Sequence, residues 1–495
     1  MKRILISTIA VSALLFNVSC DTNFDQDVSD IVVSKGDADF TKYVALGNSL
    51  TSGYRDNALY IDGQNESYPS MIAKQMQLAG GGEFKQPMMS DNLGGIPAVG
   101  VGNKLVLAVN PTTGALGPVV ASGTATNTIA SIFSSGPYQN MGVPGAKSYH
   151  LLAPGYGSAA GLQTGTANPY FVRFASSAST TVLQDAMAQN PTFFSLWIGN
   201  NDVLGYATSG GDGSNPITSE ALFTQAYNGL IATLTSNGAK GVVANIPNVT
   251  AIPFFTTVPY NPVPLDAASV TALNQQVFGP LKQILTAYGQ GDRLSLMKAT
   301  QNPVLLKDES LTNLSAQITG ALVAAGVPAQ QAGLMGIVYG QARHATSADL
   351  LPLTTSSVIG TAPSSPYAVA PFNKYGVTFP LDDKHVLSST EKDEVLAATA
   401  TFNGVIKAAA TAKGLAFVDA NAKMLELAKT SGIQFDGVKY TATFVTGGTF
   451  SLDGVHLTGR GYALIANEFI KSINAKYNST LPLVNVNNYT GVTFP

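Results

Sequence analysis

Four short apolar runs punctuate the chain, and each is closed by residues that favour turns. Tyr43-Val44-Ala45-Leu46 runs into Gly47-Asn48-Ser49, and Phe193 to Ile198 ends at Gly199-Asn200-Asn201-Asp202. Gly241 to Ile246 is closed by Pro247-Asn248, and Leu415 to Val418 by Asp419. Apolar runs without alternation predict strands buried on both faces, the condition of a parallel sheet. Between them the period becomes helical. Ser219 to Asn237 places Phe223, Tyr227, Leu230, Ile231 and Leu234 on one face and stops at Gly238. Ser388-Ser389-Thr390-Glu391 has the form of a capping box and opens a helix with Val395, Phe402 and Ile406 inside. A last helix after Leu457 carries Tyr462, Ile465, Phe469 and Ile473. Strands alternating with helices predict an α/β chain, with a parallel sheet covered by helices.

Two stretches break this rhythm. Residues 60–138 are rich in Gly, Pro, Asn and Ser, and residues 301–385 join a helical piece, Leu311 to Ala325, to a Ser/Thr/Pro loop from Ala345 to Pro380. Both read as insertions in one domain spanning 39–495, since long loops of this kind are usually functional or mobile. Composition narrows the classes. Charged residues are 12% of the 495, about half the roughly 25% of ordinary soluble proteins. The net charge of −3 leaves no basic surface suited to nucleic acid. A hydrophobic fraction of 45% supports a sizeable core and argues against disorder.

The single cysteine, Cys20, rules out an intramolecular disulfide and any cysteine metal cluster. Its place suggests an address. Lys2 and Arg3 precede an apolar run from Ile4 to Phe16, too short to span a bilayer, so residues 1–19 read as an export signal. A small residue, Ser19, stands immediately before Cys20, which resembles the processing site of bacterial lipoproteins, although Asn17 sits where that pattern prefers Leu. The resemblance implies that Cys20 is lipidated and that residues 20–38 tether the body to a bacterial membrane, the outer one, facing periplasm or surface. Ordinary signal cleavage with an incidental thiol is the alternative. One acyl chain binds a membrane only marginally, so stable anchoring needs several.

Ser49 follows the first strand, where open α/β sheets bind ligands. A serine needs an adjacent base to act as a nucleophile, and only His150, His344, His385 and His456 are available. His456 lies in Asp453-Gly454-Val455-His456, a spacing by which one turn presents both the carboxylate and the ring it would orient. Asp382-Asp383-Lys384-His385 offers the same spacing, but in a loop beside a lysine, and reads as a solvated decoy. His150 and His344 lack such a carboxylate and read as structural. Trp197, the only tryptophan, lies in a strand and reads as core. Oxyanion donors are offered by the turn Asn140 to Gly145 and by Gly199-Asn200-Asn201-Asp202.

These four segments, in this order, resemble the conserved blocks of the SGNH (GDSL-type) serine esterases and lipases. Gly47-Asn48-Ser49-Leu50 is similar to the first block, with Asn48 in place of the more usual Asp, and Asp453 to His456 to the last. The resemblance implies a flavodoxin-like three-layer α/β/α sandwich. It makes Ser49 the nucleophile, His456 the base and Asp453 its orienting partner. Gly145 becomes a backbone oxyanion donor and Asn201 a side-chain one. No G-x-S-x-G elbow surrounds Ser49, because Thr51 stands where the second Gly would be. No metal or organic cofactor is implied, as the histidines and carboxylates show no ligand spacing. The implied activity is hydrolysis of carboxylic esters through an acyl-enzyme. The substrate is a lipid or other acyl ester if apolar pieces such as Ala251 to Phe255 and Val369 to Phe372 line the acyl site. Polysaccharide deacetylation is a second reading, and an inactive ligand-binding lipoprotein a third.

Overall fold

A computed structural model describes residues 32–111 and 114–494. The export signal and Cys20 lie outside the described residues. Five strands form the central sheet: β1 (Tyr43–Gly47), β2 (Asn140–Gly142), β3 (Phe193–Trp197), β4 (Lys240–Ala244) and β5 (Ala416–Val418). Their order is β5-β4-β3-β1-β2, and every pairing is parallel, with Tyr43 opposite Phe193 and Ala45 opposite Asn140. The chain steps from β1 to β2 on one side, then returns past β1 to β3 on the other. That is the flavodoxin-like order, and its switch point lies between β1 and β3, where such sheets hold ligands beyond their carboxyl ends.

Helices cover both faces and complete a three-layer α/β/α sandwich. The chief ones are α1 (Tyr68–Leu78), α2 (Asn200–Thr208), α3 (Glu220–Leu234), α4 (Ser389–Ala412) and α5 (Gly459–Tyr477). On one face Tyr68 of α1 stacks on Phe469 of α5 at 4.8 Å and meets Trp197 edge-on at 5.5 Å. On the other, Phe223 of α3 stacks on Phe402 of α4 at 4.0 Å. The helix starts follow from their caps. Ser219 accepts from the Leu222 amide, and Ser388 and Glu391 bond each other's backbone reciprocally, with Ser388 N to Glu391 Oε2 at 2.7 Å.

Two sequence expectations change. Residues 60–138 are not wholly an insertion, because α1 lies within them and buries Tyr68, Met71, Ile72 and Met76 in the main core. Pro69 stands in its first turn, where no backbone donor is needed, and Ser67 caps it. The later stretch is also wider than 301–385. Phe278, Leu281 and Leu285, on and before the helix Gly279–Ala287, share one apolar cluster with Ile318 and Tyr339. The helices Ser315–Ala324 and Ala329–Tyr339 bury their faces against that earlier segment. Neither could be stable on the loop from 345 to 380 alone, since short helices depend on packing.

Candidate active site

Ser49 owes its position to a sharp exit from β1. A Cβ on Gly47 would lie 2.0 Å from Thr51 Oγ1 and 2.5 Å from the Trp197 carbonyl oxygen, so only glycine lets the chain turn there. Asn48 Oδ1 then accepts from the Leu50 amide at 3.1 Å and caps the single helical turn Ser49–Ser52. That turn ends at Gly53, whose φ is +83°. Ser49 is 7% exposed at the switch point of the sheet.

His456 and Asp453 occupy the loop before α5, which Thr458 caps through the Gly461 amide at 3.2 Å. Asp453 Oδ1 accepts from the backbone amides of Val455 and His456, both at 2.8 Å, with Gly454 at φ +70° between them. This side-chain turn brings Asp453 Oδ2 to 2.9 Å from His456 Nδ1, and His456 Nε2 lies 2.9 Å from Ser49 Oγ. With Nδ1 facing the carboxylate, the neutral ring carries its proton there. Nε2 is left to accept from the serine hydroxyl. Burial disfavours the charge on Asp453, yet the His456 ring and the amides of His456 and Asn57 outweigh it and hold the carboxyl well below its ordinary range.

A second turn clamps this carboxylate, and the sequence reading did not single it out. Asp56 and Asn57 have φ of +52° and +62°, the backbone of a tight turn closed by two bonds between Arg55 and Ala58. The turn aims the Asn57 amide at Asp453 Oδ2, 2.9 Å away. Asp56 accepts from the Leu452 amide at 3.0 Å and from the Tyr60 hydroxyl at 2.6 Å, and its own amide donates to Ser451 Oγ at 2.9 Å. Ser451 Oγ donates onward to Asp453 Oδ1 at 3.1 Å. Burial, and the neighbouring Asp453, push the Asp56 carboxyl upward. The Tyr54 ring packs on the His456 ring at 4.7 Å. Adjacent Asp and Asn, both tolerant of positive φ, were the one sequence signal for this turn.

The loop after β2 reaches the same end of the sheet. The Val143 amide donates to the Gly47 carbonyl at 3.0 Å, and Gly145 is exposed with φ of +80°. Asn201 of α2 donates through Nδ2 to the Ala146 carbonyl at 2.9 Å, which uses one of its two amide hydrogens. Asp202 pins the loop further, accepting the Ser148 amide and hydroxyl at 2.8 Å each. A pocket of about 40 Å³ opens over Ser49 and His456, lined by Asn48, Asn200 and Asn201 on one side and Leu50, Ile252 and Val455 on another. Gly145 is not among the pocket's walls; its neighbour Ala146 is tied to the pocket-lining Asn201 by that hydrogen bond. Asn48 Nδ2 and Asn200 Oδ1 are buried without a hydrogen-bond partner among the described residues.

The other histidines have local duties. His150 Nδ1 accepts the Lys147 amide at 3.1 Å and the ring stacks on Tyr156, while burial presses its pKa down to about 4. His344 Nδ1 accepts the Ser295 amide at 2.9 Å, and burial takes it likewise to about 4. At His385, burial and Lys384 lower the pKa, and the carboxylate of Asp382 accepts from Tyr375 at 2.8 Å instead of meeting the ring. Trp197 lies in the core with Nε1 donating to the Asn245 carbonyl at 3.0 Å. Ile252 of the apolar piece 251–255 lines the pocket, whereas Phe372 joins the second apolar cluster. Among the described residues no three His, Cys, Asp or Glu side chains stand together in a group fit to hold a metal.

No protein-family model matches the chain, and no curated protein matches it. Among solved structures, a mutant form of Axe2, an acetyl-xylooligosaccharide esterase from Geobacillus Stearmophilus, is similar at 12% identity with a TM-score of 0.32. That similarity covers 88% of this chain and 96% of the other.

Proposed function

We propose that this chain is a serine hydrolase of carboxylic esters, of the SGNH type, held at a bacterial membrane through Cys20. The observation that carries the reading is the unbroken relay from Ser49 Oγ to His456 Nε2 and from His456 Nδ1 to Asp453, 2.9 Å at each step, at the switch point of a doubly wound sheet. Ser49 Oγ attacks the ester carbonyl while His456 Nε2 takes its proton. Asp453 stabilises the imidazolium that results and stays ionised. The Ser49 amide and the Asn201 side chain, with the Gly145 amide as the further donor that the family resemblance implies, serve the developing oxyanion in this reading, where one donor is worth about 10² to 10³ in rate. The intermediate collapses, the alcohol leaves with the proton of His456, and a water activated by the same ring releases the acid from Ser49.

Deacetylation of carbohydrate is the second reading, favoured by the pocket over Ser49. Its volume of about 40 Å³ is about three times the least that holds one water, which suits an acetyl group. Against a ligand-binding protein without activity stands the geometry of the relay, since a binder has no use for a serine, a ring and a carboxylate in line. Steady-state hydrolysis of p-nitrophenyl acetate and butanoate tests the reading. Ser49→Ala should lower kcat by about 10⁴ or more, and full activity in that variant would refute it.

A further inference from the structure

The pocket over Ser49 backs onto a second space. Four of the side chains that bound it, Leu50, Pro247, Ile252 and Val455, also bound a second cavity of about 100 Å³. Leu50 directly follows the nucleophile and Val455 directly precedes the base. The hydrocarbon wall beside the Ser49–His456 pair is therefore also the near wall of the second space.

That second space is apolar. Its remaining surface comes chiefly from Trp197, Met424, Leu427, Phe450, Leu464 and Ile465. They belong to the end of β3, the helix Ala420–Leu427, the segment before the His456 loop, and α5. The one polar atom of the Trp197 side chain is already bonded to the Asn245 carbonyl, so the indole offers only hydrocarbon. Thr449, also in the wall, has its hydroxyl donated to the Thr441 carbonyl. The two charged residues there, Lys423 and Glu468, pair with each other at 3.5 Å, and Lys423 also meets Glu426 at 3.0 Å. The polar groups of this wall are already engaged with one another or with the backbone, so most of the surface offers hydrocarbon, and burying unbonded sugar hydroxyls against it is costly.

We infer that this cavity takes the hydrocarbon tail of the acyl group held on Ser49, so that the preferred substrates are esters of fatty acids of about six carbons. The inference rests on the assignment of Ser49 as the nucleophile. The length follows from volume. An apolar cavity of about 150 Å³ takes a guest the size of benzene, and the two adjoining spaces, about 40 and 100 Å³, together approach that. The carbonyl and its neighbouring carbon occupy the pocket beside the asparagines, and the Leu50 and Val455 side chains part to admit the remaining methylenes to the second space. Each methylene moved from water into it should raise kcat/KM about fourfold.

The test is a series of p-nitrophenyl esters, acetate, butanoate, hexanoate and dodecanoate, given to the full chain. Wild-type kcat/KM should climb about fourfold per methylene up to hexanoate and flatten or fall by dodecanoate. Leu464→Trp fills the cavity from a half-buried position on α5, and Met424→Trp fills it from another helix. Each should cut the hexanoate-to-acetate ratio of kcat/KM at least tenfold, a ratio that general loss of folded protein does not move. An acetate optimum in the wild type, or an unchanged ratio in both variants, overturns the acyl cavity. Ser49-dependent acetate hydrolysis would survive either result and leave the ester-hydrolase reading standing. A wild-type protein that hydrolyses none of the four esters overturns both.

Discussion

Asp453 is asked to be charged where burial opposes charge, and what sustains it is a set of donors gathered from distant parts of the chain. Its depressed pKa has a consequence for stability. A carboxylate held below its unfolded value near 4 contributes stability that is present above that value and lost as pH falls through the folded one. The acid unfolding of the wild type, followed by circular dichroism, should therefore include a loss setting in below about pH 4. Asp453→Asn should lack that part of the dependence. The same variant should lose about 10⁴ in kcat, because an amide opposite Nδ1 favours the wrong tautomer. His456→Ala should abolish ester hydrolysis while His385→Ala leaves it near wild type, since no carboxylate meets the His385 ring; the opposite outcome would move the base. Asn201→Ala should cost about 10² to 10³ in kcat as a lost oxyanion donor. Asp453 and His456 could be paired in the sequence because they lie three positions apart, and Ser49, 407 positions from His456, could be matched to them because it closes an apolar run and histidines are few. The Asp56-Asn57 clamp was not, because it acts through backbone amides on residues 396 positions away.

Elements were legible where burial was uniform. Four strands appear in the sequence as apolar runs because both faces of each are covered, and α3, α4 and α5 carry their caps and stripes openly. β2 did not appear. It is three residues long at the sheet's edge, with Asn140 spent on structural bonds to Thr51 and Gln86 at 2.9 and 2.8 Å. α1 was hidden among glycines and asparagines that belong to its neighbours, although its own apolar positions are in helical register. The aromatic contact between α1 and α5 also sets the floor beneath β1 and β3. Phe469→Ala should lower the unfolding free energy by about 3 to 5 kcal/mol, as for other buried aromatics, read from urea denaturation. Ser388→Ala should cost α4 about 1 kcal/mol. A Phe469→Ala effect below 1 kcal/mol would mean that this layer is not packed as described.

At the scale of the molecule, residues nearly as far apart as the chain allows meet because the sheet's first strand and the last helix share one end of the fold. The scarcity of charge fits this plan in part: apart from the relay and its clamp, buried ionisable groups such as Asp202, Asp308 and Asp349 are spent on local hydrogen bonds and ion pairs, and much of the remaining interior is hydrocarbon, including the cavity behind Leu50 and Val455. The width of the second apolar cluster was beyond sequence reading, since a cluster is a property of three dimensions and its members lie on both sides of residue 301. If Cys20 carries the anchor, Cys20→Ser should move the protein from the membrane fraction to the soluble one. The central claim is that this whole architecture exists to activate a single serine. Labelling the intact protein with a fluorophosphonate and mapping the adduct by mass spectrometry tests it most directly. The account predicts one adduct per chain, on Ser49, absent in Ser49→Ala and much slowed in His456→Ala. An adduct on another residue, or undiminished labelling of Ser49→Ala, would contradict it.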